Sequence, residues 1–532
     1  MPTLSKTIGH VLRWNPGVTG FIVTVALVNA GLYHLPLYSF AVANLDYLSQ
    51  GGALILATLF MLATSITILF FSLLSLVSLR LLKLLCMVAA LGNALALYFV
   101  ETYGVVLDKT MMGNVFNTDF AEAGSFFHPK LLVYLLALGA LPCWLLARIQ
   151  IHKTGVRQRV TLLMLVLLIT AGWIYASSRS WLWIDKNASR LGGMIMPWSY
   201  VINATRYWSD HALASREHSL LPAASFVANR KTIVILVIGE AARAQNFSLY
   251  GYQRLTNPLM AAAGAVALPH AHSCATYTTA SMICILSPAD SGGQFFSSAE
   301  PLPSYLQRHG IDVIWRTRNW GEPPLKVQTY QRGETLRQEC QGDGCDYDEV
   351  LLQGLDQRIH ASTSEKILVV LHLHGSHGPD YFRNYPEKFE VFKPACQSVE
   401  LDHCTSEELV NAYDNTIVYT DYFLQRAIGL LEAIPDTAAM LMYISDHGES
   451  LGEHGLYLHG TPYAIAPDVQ KEIPFLVWMS DAFKQQKTIA ETQLAPQSSH
   501  PQANVFHSLM GAFDMRSGIY NAQLDIFSDN AK

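Results

Sequence analysis

Residues 17–37, 53–79, 84–100, 131–147 and 160–178 contain no aspartate, glutamate, lysine or arginine, and nothing else in the sequence restricts the fold so severely. Each stretch is near or above the roughly 17–25 residues an α-helix needs to cross the hydrocarbon core of a bilayer. A helix also satisfies its own backbone hydrogen bonds there, which an open strand cannot. A cleavable leader accounts for at most the first stretch, and residues 1–16 lack the short apolar region and small-residue cleavage site of one. Five spans are therefore expected. Lys6 and Arg13 precede the first, Arg80 and Lys83 separate the second from the third, and Arg148, Lys153, Arg157 and Arg159 separate the fourth from the fifth. Basic connections of this kind stay in the cytoplasm. The alternate connections, 36–52 and 101–129, are poor in basic residues, so an odd number of spans places everything after Ser178 outside the cytoplasm.

The composition changes at the end of the fifth stretch. Charged residues number 15 before residue 176 and 63 after it, whereas hydrophobic residues make up 51% of the whole, too many for an ordinary soluble enzyme. The first part is basic (10 against 5) and the second acidic (26 against 37), which argues against a nucleic-acid partner for the soluble part. Trp181, Trp183, Trp198, Tyr200, Tyr207 and Trp208 crowd the next segment among Arg179, Lys186, Arg190 and Arg206. Rings and long basic chains suit either the headgroup layer or the underside of a soluble domain. A polar run with a proline at 216–229 reads as a linker. The expected organisation is a transmembrane domain at 1–178, a bridging segment at 179–230 and a catalytic domain at 231–532.

From Lys231 onward, apolar runs of strand length at 232–238, 311–315, 366–371, 439–444 and 473–478 alternate with helical patterns near 280–286, 303–309 and 406–431. Continuous apolar runs are strands buried on both faces, so an α/β sandwich is expected. Three runs end in metal-ligand residue types: Glu240 after the first, His374 and His377 after the third, Asp446, His447 and Glu449 after the fourth. His459 follows a little further on. Open α/β sheets bind ligands beyond the carboxyl ends of their strands, and carboxylate and imidazole there suit Zn²⁺. A nucleophile is sought among Thr276, Thr278, Thr279 and Ser281, hydroxyls at a helix start where backbone N–H groups favour an alkoxide and a phosphate. Composition does not choose among the four. Six cysteines lie in this part as close pairs, Cys274 with Cys284, Cys340 with Cys345 and Cys396 with Cys404, and in an oxidising compartment such spacing favours disulfides between neighbours.

At these residues the chain resembles the membrane-anchored phosphoethanolamine transferases of Gram-negative bacteria, relatives of the alkaline phosphatase and sulfatase superfamily, over essentially its whole length. The resemblance is carried by the segments 238–243 and 445–452 and by the loop between Cys274 and Cys284. It implies an N-terminal five-helix transmembrane domain followed by an α/β sandwich of the alkaline phosphatase/sulfatase type. It makes Thr278, four residues after the first cysteine of the disulfide loop, the nucleophile, and Glu240, Thr278, Asp446 and His447 the ligands of a tightly held zinc. His377 and His459 correspond to histidines that hold a second zinc or the substrate phosphate. Asn114, Thr118 and Glu122, one polar stripe if helical, correspond to residues that receive the ethanolamine headgroup. Asn319 and Lys326 correspond to phosphate contacts of lipid A-modifying members, Lys326 aligning only across a gap. Ala275 and Ile283 stand where the family usually has glycine and proline.

The implied reaction moves phosphoethanolamine from phosphatidylethanolamine to a lipopolysaccharide acceptor through a zinc-activated threonine and a covalent phospho-threonine. A lipid A phosphate is the first choice of acceptor, and an inner-core Kdo or heptose sugar the second. The implied setting is the bacterial inner membrane, with a cytoplasmic N-terminus, a periplasmic catalytic domain, a monomeric chain and resistance to polymyxin as the outcome. The rivals are a phosphoglycerol transferase or sulfatase-like hydrolase on the same scaffold, and a non-catalytic membrane sensor. Intact Glu240, Thr278, Asp446 and His447 argue against the sensor.

Overall fold

The computed structural model describes residues 15–45, 48–118, 123–124, 126–177, 181–214, 219–227, 230–288, 299–435, 437–489, 494 and 499–528. The chain divides into two compact units, residues 1–112 with 127–206, and residues 113–126 with 207–532.

The apolar stretches form α1 (Val18–Leu32), α2 (Leu35–Ala43), α3 (Gln50–Val77) and α4 (Leu79–Tyr103), followed by the short α5 (Lys109–Asn117), then α6 (Pro129–Arg148) and α7 (Val156–Ala176). Four of these, α3, α4, α6 and α7, are long and apolar enough to cross a membrane. A fifth crossing arises if α1 and α2, which meet at a 48° bend, count together. The first apolar stretch breaks at Pro36 for a steric reason. Proline in a helix interior clashes with the carbonyl four residues back, and α1 ends at that residue, Leu32. α6 is likewise interrupted by one π-helical turn, Leu135–Ala140, just before Pro142.

The membrane unit's helices carry a few buried polar groups that bond one another. Asn93 Nδ2 donates to Asn29 Oδ1 at 2.8 Å, Asn29 Nδ2 to the Met196 carbonyl at 3.0 Å and the Tyr200 hydroxyl to Asn93 Oδ1 at 2.9 Å. The donor and acceptor atoms of both amides thereby find partners where water is scarce.

The catalytic unit is built on seven strands: β1 (Thr232–Gly239), β2 (Val266–Ala267), β3 (Asp312–Thr317), β4 (Thr329–Arg332), β5 (Lys366–His372), β6 (Ala438–Ser445) and β7 (Phe475–Met479). Their order in the sheet is β2-β7-β6-β1-β5-β3-β4, with β6, β1, β5, β3 and β4 mutually parallel and β7 antiparallel to both its neighbours. Every residue of β1, β5, β6 and β7 is buried, as their continuous apolar character requires. The core packs Val234, Leu236, Trp315, Leu368, Met440 and Phe506 together. α8 (Trp198–Ala214) leads into this unit; α9 (Thr278–Leu286) and α10 (Ser406–Glu432) belong to it. α10 starts at a capping box in which Thr405 and Glu408 satisfy each other's backbone N–H.

Candidate active site

The parallel register of β1 and β6 sets Gly239 opposite Ser445, so Glu240 and Asp446 emerge side by side at the carboxyl edge of the sheet. Glu240, Asp446 and His447 are all fully buried. Their ligand-type atoms lie within 4.8 Å of one another. His447 Nε2 stands 3.1 Å from Glu240 Oε1 and 3.3 Å from Asp446 Oδ2. His447 Nδ1 is 2.9 Å from the Gly448 carbonyl, which holds a proton on Nδ1 and aims Nε2 at the two carboxylates. The second carboxylate oxygen is anchored on each side: the Ala241 N–H donates to Asp446 Oδ1 at 3.1 Å, and Asn319 Nδ2 donates to Glu240 Oε2 at 2.7 Å.

Thr278 is the first residue of α9, where the leading N–H groups of a helix have no internal partners. Its hydroxyl donates to Glu240 Oε2 at 3.1 Å and lies 3.5 Å from His447 Nε2. Cys274 and Cys284 are disulfide-bonded across this turn, and the pairs Cys340–Cys345 and Cys396–Cys404 are bonded as well. Gly321 closes over the nucleophile from the loop after β3. It has φ +102°, a backbone conformation that favours glycine, and a Cβ there would press at 3.3 Å on both Thr278 Cγ2 and the Thr279 nitrogen.

Two fully buried carboxylates beside an imidazole need a counter-charge. Burial pushes the Asp446 carboxyl well above the usual carboxylate range, and the neighbouring Glu240 adds to the shift. Burial also raises Glu240, but the adjacent His447 outweighs it and holds Glu240 well below that range. Burial works against a charge on His447, yet Asp446 and Glu240 hold it up at about 9. Glu240 Oε1 and Asp446 Oδ2 have no hydrogen-bond donor among the described residues. Two bare buried oxygens beside an imidazole nitrogen and a hydroxyl suit a divalent cation, and this mixed oxygen and nitrogen set is one that zinc takes up.

His377 and His459 join the same edge. The ligand atoms of Glu240, His377 and His459 form a second group within 4.8 Å, and the His459 ring lies 4.3 Å from that of His447 and 5.3 Å from that of His377. Asn319 reaches Glu240 as described and also donates to the Leu373 carbonyl at 3.0 Å, so its amide positions a ligand. The Lys326 side chain is exposed and makes no hydrogen bond or ion pair with any described residue, while its backbone N–H is tied to Ser304 Oγ. Asn114 is half-buried on α5, and the Thr118 hydroxyl is used on the Asn114 carbonyl at 2.8 Å. Glu122 lies outside the described residues.

Two residues at the site, Gln502 and Asn117, were not singled out by sequence reasoning, and a third, Glu449, was named only as a metal-ligand type. Glu449 is fully buried, pairs with His459 Nδ1 at 3.0 Å and accepts from the Tyr381 hydroxyl at 2.8 Å, an arrangement that turns His459 Nε2 away from it. Gln502 accepts from the Cys274 N–H at 3.0 Å and donates to the carbonyls of Ser445 and Asp446 at 3.1 and 2.5 Å. Asn117 donates to Thr279 Oγ1 at 3.2 Å. Glu449 stands out in the sequence at the end of the fourth strand, though its part behind His459 does not, whereas Gln502 and Asn117 carry no local signal.

Residues 232–515 match the Sulfatase family, which places the sheet and its carboxyl-edge cluster in the alkaline phosphatase and sulfatase class. Residues 64–212 match the family described as phosphoethanolamine transferase EptA/EptB. The chain is 38% identical over 512 residues to phosphoethanolamine transferase EptA of Helicobacter pylori, covering 94% of this chain and 95% of the relative. It is 31% identical over 417 residues to phosphatidylethanolamine transferase Mcr-1 of Escherichia coli, covering 73% and 76%. The structure of the integral membrane lipooligosaccharide phosphoethanolamine transferase A (EptA) from Neisseria meningitidis superposes with a TM-score of 0.90 at 26% identity, covering 96% of this chain and 99% of that one. This chain belongs to the phosphoethanolamine transferase family.

Proposed function

We propose that this enzyme transfers phosphoethanolamine from phosphatidylethanolamine to a lipopolysaccharide acceptor, with Thr278 as the nucleophile. The observation that carries the reading is the meeting of the Thr278 hydroxyl with Glu240 and His447 at the tip of α9. In the first step Thr278 Oγ1 bonds to phosphorus and the bond from phosphorus to the glycerol oxygen breaks. Diacylglycerol leaves as the alcohol, carrying a proton, and phosphoethanolamine remains on Thr278. An acceptor oxygen then displaces it, and Thr278 regains its proton. Glu240, Asp446, His447 and Thr278 would hold one zinc ion, which when bound lowers the hydroxyl pKa and offsets charge on the phosphoryl oxygens. His377 and His459 stabilise the transferred group's charge and leave room for a second ion. Asn114, Thr118 and Glu122 receive the ethanolamine, where a carboxylate suits an ammonium.

The acceptor we favour is a lipid A phosphate, with an inner-core Kdo or heptose second. The name of the Neisseria protein, a lipooligosaccharide phosphoethanolamine transferase, supports a lipopolysaccharide-type acceptor, and the name of Mcr-1 supports the donor. Asn319 and Lys326 remain the proposed phosphate contacts, beside His377 and His459. We read five spans, with α1 and α2 as one crossing, a cytoplasmic N-terminus and a periplasmic catalytic domain in the inner membrane. The domains of this reading are 1–178, 179–230 and 231–532, in a monomeric chain.

Mass spectrometry of protein incubated with donor is expected to show a phosphoethanolamine adduct on the Thr278 peptide. Active protein without the adduct, together with activity retained in Thr278→Ala, would rule the mechanism out. Comparing lipid A with core oligosaccharide from cells with and without the protein assigns the acceptor. Each added ammonium offsets phosphate charge, so expressing cells should survive more polymyxin.

A further inference from the structure

The nucleophile turn is braced by the end of α5. Gly113 fits between two rings, since a Cβ there would come within 3.2 Å of Tyr207 and 3.4 Å of Tyr277. One turn on, Asn117 Nδ2 donates both to the Tyr207 hydroxyl at 2.9 Å and to Thr279 Oγ1 at 3.2 Å, on the residue after Thr278. The Tyr207 ring stacks on Phe116 with centroids 5.5 Å apart, and Trp208 lies 5.4 Å from Phe116 and 5.9 Å from Tyr207. This cluster is open on its outer side. Phe116 is 40% exposed, Trp208 54% and Val115 53%.

Large exposed aromatics gathered one hydrogen-bond relay from a nucleophile mark a binding surface better than they mark a core. The chemistry narrows the guest. Val115, Phe116 and Trp208 carry no charge to pair with a phosphate; aromatic faces also attract an ammonium, but the aliphatic Val115 beside them does not, and amphipathic rings suit the boundary between glycerol and acyl chains. The donor proposed for Thr278 has that boundary directly beside its reacting phosphate. We propose that Val115, Phe116 and Trp208 form the surface that receives the acylglycerol portion of the donor lipid. Asn117 is the positioning residue that sets its distance from Thr278. This assignment rests on the transfer reading above for the identity of the lipid, while the contact itself can be tested without turnover.

Full-length protein is placed in nanodiscs containing phosphatidylethanolamine brominated on its acyl chains. The fluorescence lost on going from wild type to Trp208→Phe is expected to be a bromine-quenched component. Quenching of that component by aqueous iodide and not by brominated lipid overturns the proposal. In the kinetic arm, the ratio of kcat/KM for long-chain phosphatidylethanolamine to that for soluble p-nitrophenyl phosphoethanolamine is expected to fall about tenfold in Phe116→Asn and Trp208→Asn, the equivalent of one lost aromatic contact. Equal losses on both donors, or no loss, overturn it. Asn117→Ala should lower kcat for the long-chain donor with KM kept, because the surface still binds lipid but holds it out of register. A change confined to KM removes Asn117 from this role. If wild-type protein turns over neither donor, the transfer reading fails, and the bromine arm still decides whether lipid meets Trp208.

Discussion

The two units bury polar side chains in contrasting ways. Asn29, Asn93 and Tyr200 in the membrane unit are neutral and bond to one another until their exchange is complete. Glu240, Asp446 and His447 in the catalytic unit are ionisable, and two of their carboxylate oxygens are left without a donor among the described residues. A closed neutral network adds a little stability and fixes which helices meet. An open charged cluster costs stability until something positive completes it, because buried charge without a partner is expensive. Incomplete bonding among ionisable groups at the sheet edge suits a ligand, and the complete bonding of the Asn29, Asn93 and Tyr200 network suits architecture.

The largest break in this contrast should come from Thr278→Ala, which removes the group the open cluster serves. Transfer to acceptor is expected to fall on the order of 10⁴-fold with bound zinc largely retained, measured by lipid product and metal content together. A buried carboxylate whose bonding is closed supplies the next test. Asp421 on α10 accepts from the Leu259 and Met260 N–H groups, yet burial pushes its carboxyl up to about 6. Because that lies above the ordinary value of 3.8, the associated stability is full below about pH 4 and disappears as pH rises through 6. A rise of that size is worth about 3 kcal/mol. Asp421→Asn should flatten the fall of the unfolding midpoint between pH 4 and 8, and an unchanged slope would remove Asp421 as its source.

Smaller effects sharpen the same line. Glu449→Gln should leave the fold intact and lower activity about 10- to 100-fold, the usual cost of disturbing the hydrogen bond behind a ligating histidine. Asn93→Leu should cost only about 1 kcal/mol of stability in detergent while the folded fraction keeps its activity. A loss of activity per folded molecule there would show that the membrane network reaches the chemistry.

Much of this was legible in the chain because buried parallel strands are uniformly apolar. The ends of β1 and β6 stand out where Glu240 and Asp446 interrupt such runs. The bend between α1 and α2 was readable at Pro36 but hidden by an apolar stretch that continues through it. Thr278 could not be separated from Thr276, Thr279 and Ser281 by composition, since all four are hydroxyls near one helix start; resemblance chose it, and the hydrogen bond to Glu240 favours the same choice. Asn117 and Gln502 were illegible because their partners are 162 and 228 residues away in the chain. Lys326 drew attention because its charge fits a phosphate, and its side chain is exposed while the same loop holds Asn319 against Glu240.

The amide of Gln502 grips the disulfide loop with its oxygen and the last carbonyls of β6 with its nitrogen. Those two pieces carry Thr278 on one side and Asp446 and His447 on the other, the groups proposed to attack and to activate. One planar amide thereby spans the seam between them, so the spacing on which the proposed chemistry depends is set by a single side chain.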